Sequence, residues 1–264
     1  MTYRFRTLWV SDIHLGTRAS RASELLRFLT SVKADRIYLV GDIIDLQRMK
    51  NQPMFPEVHV QVVAELIRLA KSGTDVVFIP GNHDADFRRF AGTDLAGIPV
   101  VLEAAHVTAD GQKLLVVHGD VLDREVRRGT NLEKFGAAAY RFLLRADVVI
   151  NRFRRMLGQD YFSMSSTIKG RLRSANEYVH RYETVAARYA IARGFDGIVC
   201  GHIHRPRMRS IDGCLYMNDG DWVEHGTALA ESLDGSLQIV DWRQRCVVAE
   251  VETSESTMVV SASA

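Results

Sequence analysis

The first 80 residues alternate between short apolar runs and longer amphipathic segments, and this alternation restricts the fold more than any other feature. The apolar runs, which predict three buried strands, are residues 5–10, 36–40 and 75–79. Between them, residues 20–34 and 57–73 repeat apolar side chains at helical spacing, with Ser20 suited to an N-cap and Gly73 to a helix end. Strand, helix and strand in succession predict a parallel sheet with right-handed crossovers.

Hairpin signals dominate the chain after residue 100, apart from a helical stretch at 121–192. Asp-Gly pairs at 110–111, 212–213 and 234–235 separate strand-like runs and predict tight turns. We therefore expect an α/β fold of two mixed β-sheets, packed face to face and flanked by helices. The domains that we predict from these patterns are a core of 1–120 and 193–250, a helical lid or cap insertion at 121–192, and a flexible tail at 251–264.

Polar side chains follow the predicted strands at the point where each strand ends. They are Asp12 and His14, Asp42 and Asp45, Asn82 and His83, His118, and His202 and His204. In open sheets, ligands bind beyond the carboxyl ends of the strands, so these side chains should converge on one edge. Two further carboxylates in the same motifs, Asp84 and Asp120, are expected to serve backbone turns and neighbouring ligands rather than chemistry.

The converging side chains are carboxylates, imidazoles and one amide, without a thiolate. Such a set suits divalent Mn, Fe, Zn or Co. Seven ligands of this kind are too many for one ion, whereas two ions that share a carboxylate can lie ~3.5–4 Å apart and act on a phosphoester. The sequence therefore predicts a site for two divalent metal ions.

The motifs D-x-H, GD-x-x-D, GNHD, HGD and GH-x-H occur in the order and spacing of the calcineurin-like metallophosphoesterases, and the chain resembles that family. The resemblance implies a metallophosphoesterase-type sandwich and metal-bridged hydroxide as the nucleophile. It also implies two ligand sets joined by Asp42, namely Asp12, His14, Asp42 and His204 for one ion and Asp42, Asn82, His118 and His202 for the other. His83 would stabilise or protonate the leaving oxygen, and Asp45 would orient His83.

The substrate class follows from finer features of these motifs. The chain lacks the DRG and GNHE sequences of the Ser/Thr phosphatases, so a protein substrate is not expected. Chain length, GHIHRP and the insertion after HGD resemble the UDP-2,3-diacylglucosamine pyrophosphatases of bacterial lipid A synthesis. That resemblance implies hydrolysis of a UDP-linked diacylated sugar to UMP and a sugar 1-phosphate lipid, with Mn and with a lid over the acyl chains. The best-known members read GNRD where this chain has His83, which places it in a related subgroup.

Positive charge is concentrated in the predicted insertion, where residues 121–188 carry fourteen Lys/Arg and seven Asp/Glu. Apolar and Arg residues interleave at 137–158, as in a basic amphipathic helix on an anionic membrane surface. The same pattern also suits an ordinary helix whose apolar face packs on the core. Candidate substrate contacts are Arg205, Lys169, Arg171 and Arg124. Asp221, Trp222 and His225 are candidates for the rim of the site.

Other functions remain open at this stage. A soluble phosphodiesterase for cyclic nucleotides, or a nuclease, could use the same metal site. A nuclease is disfavoured because the basic segment shows no platform of exposed aromatic residues for stacked bases. A scaffold without catalysis is disfavoured because no expected ligand is missing. The short apolar start, the lack of an 18-residue apolar span and three Cys without CxxC spacing predict a cytoplasmic protein, peripheral at the inner membrane face if it binds lipid.

Overall fold

The computed structural model describes residues 3–127, 165–243 and 246–249, with side chains in 3–126 and 176–243. The chain divides into two compact units, one of Met1–Val121 and Ala186–Ala264 and the other of Leu122–Val185. The use of the second unit as a lid stays a prediction. Among the helices that the structure describes, none is long and apolar enough to cross a membrane.

Thirteen strands occur in the described residues. They are β1 (Tyr3–Val10), β2 (Val32–Val40), β3 (Asp75–Ile79), β4 (Asp94–Leu95), β5 (Ile98–Pro99), β6 (Ala104–Val107), β7 (Lys113–Val116), β8 (Gly197–Cys200), β9 (Arg207–Ile211), β10 (Cys214–Asn218), β11 (Thr227–Glu231), β12 (Leu237–Asp241) and β13 (Cys246–Ala249). The α-helices are α1 (Ala22–Ser31), α2 (Leu46–Met49), α3 (Glu57–Lys71), α4 (Asp123–Arg127) and α5 (Ser165–Ile191), and 3₁₀ turns span Ala85–Phe90 and Asp120–Leu122.

The strands form two large mixed sheets, which confirms the predicted α/β class. The first sheet has the order β13-β12-β11-β1-β2-β3, and the second has the order β6-β7-β8-β10-β9. Strands β1, β2 and β3 run parallel, as their alternation with helices predicts, while β11 pairs antiparallel with β1. In the second sheet β7, β8 and β10 run parallel between antiparallel edge strands. The Asp-Gly pairs lie in the connections β6–β7, β9–β10 and β11–β12, as predicted.

Strand β1 divides the core into two layers because successive side chains point to opposite faces of a sheet. Leu8 and Val10 pack with the buried faces of α1 and α3. Trp9, between them in sequence, packs with Val116 and Val199 of the second sheet. The first sheet is therefore covered by helices on one face and by the second sheet on the other.

Helix α1 differs from its predicted bounds at both ends. It begins at Ala22 with Arg21 at the N-cap, and the buried hydroxyl of Ser20 has no hydrogen-bond partner, so the Ser20 cap was wrong. The helix ends at Ser31, and Val32 enters β2 at once, paired with Tyr3 of β1. Pairing with the long strand β1 therefore takes over where the helical pattern of the sequence still continued.

Candidate metal centre

The residues predicted to act together converge where β1, β2, β3, β7 and β8 end. All nine belong to one connected set of contacts: Asp12, His14, Asp42, Asp45, Asn82, His83, His118, His202 and His204. Backbone hydrogen bonds tie the loops together, since Asp12 N–H donates to Gly41 O at 3.0 Å and His14 N–H donates to Asp42 O at 2.9 Å. The parallel arrangement of the strands thus gathers the polar residues at one edge.

Five of the seven candidate metal ligands have a left-handed backbone. They are Asp12, His14, Asp42, His202 and His204, with φ between 49° and 69°. Non-glycine residues rarely adopt this region, and they cluster there at functional sites. The conformation turns each chain segment sharply after its strand, which brings the ligand side chains back over the sheet edge.

The two oxygens of the Asp12 carboxylate have different roles. One is hydrogen-bonded to the protein, and the other faces candidate metal ligands. Its Oδ2 accepts hydrogen bonds from the Ser11 hydroxyl at 2.6 Å and from the His202 backbone N–H at 2.8 Å. Its Oδ1 has no hydrogen-bond partner and lies 3.1 Å from His204 Nε2 and 3.8 Å from His14 Nε2. One oxygen is therefore held and the other is directed at two imidazoles.

The two oxygens of the Asp42 carboxylate also have different roles. Its Oδ1 accepts the backbone N–H of His83 at 2.7 Å. Its Oδ2 lies within 4.0 Å of three imidazole nitrogens, at 3.4 Å from His118 Nε2, 3.9 Å from His14 Nε2 and 4.0 Å from His83 Nε2. His14 belongs to one predicted ligand set and His118 to the other, so this single oxygen lies near both sets.

The imidazoles of His14 and His118 are oriented through their Nδ1 atoms. His14 Nδ1 lies at hydrogen-bond distance, 3.1 Å, from Asp45 Oδ2, and His118 Nδ1 lies 2.8 Å from Val40 O. Both Nε2 atoms consequently face the carboxylates, and His118 Nε2 also lies 3.3 Å from Asn82 Oδ1. The His202 ring lies beside His118, with 5.2 Å between the ring centroids.

The carboxylates and imidazoles shift one another's pKa values strongly. Burial alone would raise the pKa of Asp12, but His14 and His204 outweigh it and hold that pKa well below its usual range. Burial likewise opposes the charged forms of His14 and His118, yet Asp12 and Asp45 raise the pKa of His14 to about 10, and Asp42 with Asp12 raises that of His118 to about 10. The pocket therefore attracts positive charge, and protons and metal cations compete for the same nitrogen atoms.

The donor atoms fit divalent cations. Asp12 Oδ1 and His14 Nε2 are buried polar atoms without a hydrogen-bond partner, and they face each other across 3.8 Å. Three groups bring their donor atoms within 4.8 Å of one another, namely Asp12–His14–His204, His14–Asp45–His83 and Asp12–Asp42–His118. Carboxylate oxygen and imidazole nitrogen are the ligands that Mn, Fe, Zn and Co accept in proteins.

Asp45 lies between two imidazoles of different character. Its carboxylate is nearly buried, with Oδ2 on His14 Nδ1 and Oδ1 2.9 Å from His83 Nδ1. Burial would raise the pKa of Asp45, but the two imidazoles and the Arg48 backbone N–H hold it well below its usual range. The His83 side chain is 33% exposed, so its ring contacts Asp45 through Nδ1 and is also open to solvent.

Several residues outside the predicted ligand sets support the candidate ligands. Ser11 joins Asp12 to Asp219, because its hydroxyl lies 2.6 Å from a carboxylate oxygen of each. Asp84 accepts four backbone N–H groups, those of Asp42, Ile43, Ile44 and Gly81, and thereby holds the loop that presents Asp42. Asp120 instead forms a two-oxygen pair with Arg88 at 2.8 Å. Ser11 and Asp219 could not be chosen from the sequence, since they meet across 208 residues.

The remaining candidates, which are the predicted substrate contacts and rim residues, differ in their exposure and position. Arg205 is exposed beside His204 in sequence, and Arg124 is exposed on α4 in the second unit. Lys169 and Arg171 belong to α5, but their side chains lie outside the described residues. Trp222 is fully buried in the helix-side core, 5.2 Å from the Phe28 ring, so its predicted place at the rim was wrong. Asp221 is buried and lies 2.5 Å from His225, which is 31% exposed.

Comparisons with known proteins agree with this geometry. The chain is 28% identical over 254 residues to a protein of Xanthomonas campestris named UDP-2,3-diacylglucosamine hydrolase, covering 87% of this chain and 96% of the relative. Proteins of the same name from Stenotrophomonas maltophilia and Shewanella oneidensis are 28% and 26% identical, covering 87% of this chain and 96% and 95% of theirs. The sequence model of the calcineurin-like phosphoesterases matches residues 5–206. This chain therefore belongs to the calcineurin-like phosphoesterase family of metal-dependent hydrolases.

Proposed function

We propose that this protein hydrolyses the pyrophosphate bond of UDP-2,3-diacylglucosamine, or of a closely related UDP-linked acylated sugar, to UMP and an acylated sugar 1-phosphate. The observation that carries the proposal is the similarity to three relatives of that name over 87% of the chain and at least 95% of each relative. The match extends well beyond the strand-end motifs that all phosphoesterases of this kind need. The proposal places the protein in the cytoplasm, in peripheral contact with the inner membrane face where an acylated substrate resides.

The proposed ligand sets keep Asp42 as the bridge between two ions, with Mn in the first place and Fe, Zn or Co as alternatives. Asp12, His14, Asp42 and His204 would hold one ion, and Asp42, Asn82, His118 and His202 the other. The support is the position of Asp42 Oδ2, which lies 3.9 Å from His14 Nε2 of the first set and 3.4 Å from His118 Nε2 of the second. Bound divalent ions would supply Lewis-acid catalysis and lower the pKa of water to about 7.

The protein residues contribute position and a proton. Asp12 and Asp42 are each held through one oxygen, so the other oxygen is fixed in direction before substrate arrives. We assign His83 as the group that protonates the leaving phosphate oxygen, because its ring is part-exposed above Asp42 and its Nδ1 is held 2.9 Å from Asp45. Because Asp45 lies at Nδ1, Nε2 is the nitrogen that faces Asp42 Oδ2, 4.0 Å away, and it is the atom that would donate the proton.

The direct test uses the Mn-loaded protein and four substrates in parallel. We expect release of UMP from UDP-2,3-diacylglucosamine, and much slower turnover of a cyclic nucleotide, a bis-aryl phosphate and DNA. Product identification by mass spectrometry separates pyrophosphate cleavage from loss of the acyl chains. Efficient turnover of the cyclic nucleotide with none of the UDP-glycolipid would replace this proposal by a soluble phosphodiesterase, and turnover of DNA would replace it by a nuclease.

A second experiment tests the proposal that 121–192 is a lid for acyl chains. Each buried CH₂ contributes ~0.8 kcal/mol, so shortening both acyl chains by four carbons should raise KM well over tenfold. Hydrolysis of a small aryl phosphodiester should not change, because that reaction needs only the strand-end site. Phe142, Leu143 and Phe153, which the sequence pattern selects for substitution by Ser, lie outside the described residues. A KM that does not depend on the length of the acyl chains, measured on protein whose melting curve shows that it is folded, would contradict the lid.

A further inference from the structure

Two of the four candidate ligand imidazoles, those of His14 and His118, share one construction, in which an oxygen acceptor faces Nδ1 and leaves Nε2 for the centre. Asp45 supplies that oxygen to His14 at 3.1 Å, and Val40 supplies it to His118 at 2.8 Å. Such outer partners fix the tautomer and the ring orientation of a metal-binding histidine. His204 Nε2 lies 3.1 Å from Asp12 Oδ1, so an outer partner of His204 would have to face its Nδ1.

Asp221 occupies the required position. Its Oδ2 lies 3.8 Å from His204 Nδ1, on the side of the ring away from Asp12. The side chain of Asp221 is fully buried, so its charge acts through a medium in which attraction is stronger than in water. Although 3.8 Å exceeds a hydrogen bond, a metal ion on Nε2 would leave the ring proton on Nδ1, where the Asp221 carboxylate would face it.

The Asp221 carboxylate is itself firmly held. Its Oδ1 accepts the backbone N–H groups of Val223 at 2.7 Å, of His225 at 3.2 Å and of Glu224. Its Oδ2 lies 2.5 Å from His225 Nδ1. The Asp221 carboxylate therefore has a fixed direction, which is what an outer partner must have.

Asp221 also repeats the arrangement at Asp45. Each is a buried carboxylate between two imidazole Nδ1 atoms, at 3.1 and 2.9 Å for Asp45 and at 3.8 and 2.5 Å for Asp221. In each pair one imidazole is a proposed metal ligand and the other is about one third exposed, at 33% for His83 and 31% for His225. The two carboxylates flank the His14 and His204 rings, whose centroids are 5.4 Å apart.

We propose that Asp221 is the positioning residue of His204, holding the tautomer with the proton on Nδ1 and the Nε2 lone pair toward the centre, and that His225 braces this carboxylate. The inference rests on the proposed role of His204 as a metal ligand. Loss of such an outer partner lowers metal affinity by roughly 10–100-fold. Asp221 itself would touch neither metal nor substrate.

The test substitutes Asp221→Asn, which retains an oxygen for the three backbone N–H donors and removes the anionic acceptor from the two imidazoles. Titration calorimetry with Mn should show one ion weakened by about 10–100-fold and the other unchanged. The same ion should weaken in His204→Asn, and the double variant should lose no more affinity than His204→Asn alone. Asp234→Asn is the matched control, because Asp234 is an exposed turn residue that also accepts a backbone N–H, that of Ser236.

A second readout needs no variant to fold. Nitrogen-15 NMR of the Zn-loaded wild-type protein should show His204 as the Nδ1–H tautomer, and the opposite tautomer would overturn the inference. So would wild-type affinity for both ions in a folded Asp221→Asn protein. The proposed function is tested separately from the role of Asp221. Wild-type protein that binds two ions but leaves UDP-2,3-diacylglucosamine intact would refute only the proposed function. Wild-type protein that binds fewer than two ions would contradict both.

Discussion

The His202 backbone N–H donates to the Asp12 carboxylate at 2.8 Å, although the two residues lie 190 positions apart in the chain. The hydroxyl of Ser11 lies 2.6 Å from the same Oδ2, so this oxygen is held from both ends of the sequence. Asp12 Oδ1 is left to face His14 and His204. The first strand and the last ligand motif are therefore assembled as one unit, and a defect in either should disturb the other.

Asp42 should be needed for both ions, whereas His204 should be needed for one. We choose Asp42→Asn and His204→Asn because Asn tolerates the left-handed backbone found at both positions. Metal analysis after dialysis should give near-complete loss in the first variant and retention of about one ion per chain in the second. Two ions retained by Asp42→Asn would remove Asp42 from the bridging position. In that case Asp12, which belongs to two of the three-residue ligand groups, becomes the candidate bridge.

His83→Ala should slow the reaction according to the leaving group. General acid catalysis contributes ~10²–10⁴-fold where the leaving oxygen needs a proton, and little where it does not. The variant should therefore lose far more rate on an alkyl phosphodiester than on an activated aryl ester, with both metals still bound. Equal losses on the two substrates would instead indicate that His83 acts by positioning or by support of the metals.

Gly201→Ala should damage the centre without changing any ligand. The φ angle of Gly201 is not in the left-handed region, but an added Cβ would overlap the Ser11 hydroxyl and the Asp12 carboxylate. We expect weaker metal binding and a lower melting temperature. Gly73→Ala is the comparison, because Gly73 has open space at φ 101°. It should lose about 1–2 kcal/mol of stability from backbone strain and keep its metal affinity. Equal metal affinity in the two variants would contradict this account of Gly201.

Glu231 should give the protein a pH-dependent stability away from the metal centre. This buried carboxylate accepts from Arg6, Thr7 and the Ala109 backbone N–H, and lies 3.0 Å from His106 Nε2. Burial would raise its pKa, but these partners hold it below the ordinary value of 4.5. Since the folded pKa is the lower one, its stabilising contribution is complete above pH 4.5 and is lost as the pH falls through the folded value.

The measurement is urea unfolding of wild type and Glu231→Gln between pH 7 and pH 3. The variant should be about 1–3 kcal/mol less stable at pH 7, because buried donors lose their charged acceptor. The difference should shrink toward pH 3. Glu57→Gln, at the exposed first residue of α3, should change the stability by no more than ~0.3–1 kcal/mol. A constant difference across the range would show that Glu231 acts by packing alone.

The sequence was informative where chemistry is local. Apolar runs that end in Asp12, Asn82 or His118 identify both a strand and its polar end, and parallel strands must bring such ends together. Pairing partners are a different matter, because periodicity does not reveal that β11 lies beside β1 or that Ser11 meets Asp219. Trp222 shows the same limit, since only the packing of Phe28 against it explains why an aromatic residue beside the site is fully buried.

The left-handed backbone of the ligands has a consequence for evolution of the fold. Each non-glycine residue in that region costs about 1–3 kcal/mol, and three of the five are histidines. The total is comparable to the 5–15 kcal/mol that separates folded from unfolded proteins. Catalysis and thermal robustness are therefore opposed at His14, His202 and His204. A lineage released from selection for activity would gain stability first at these positions, by drift toward glycine or asparagine.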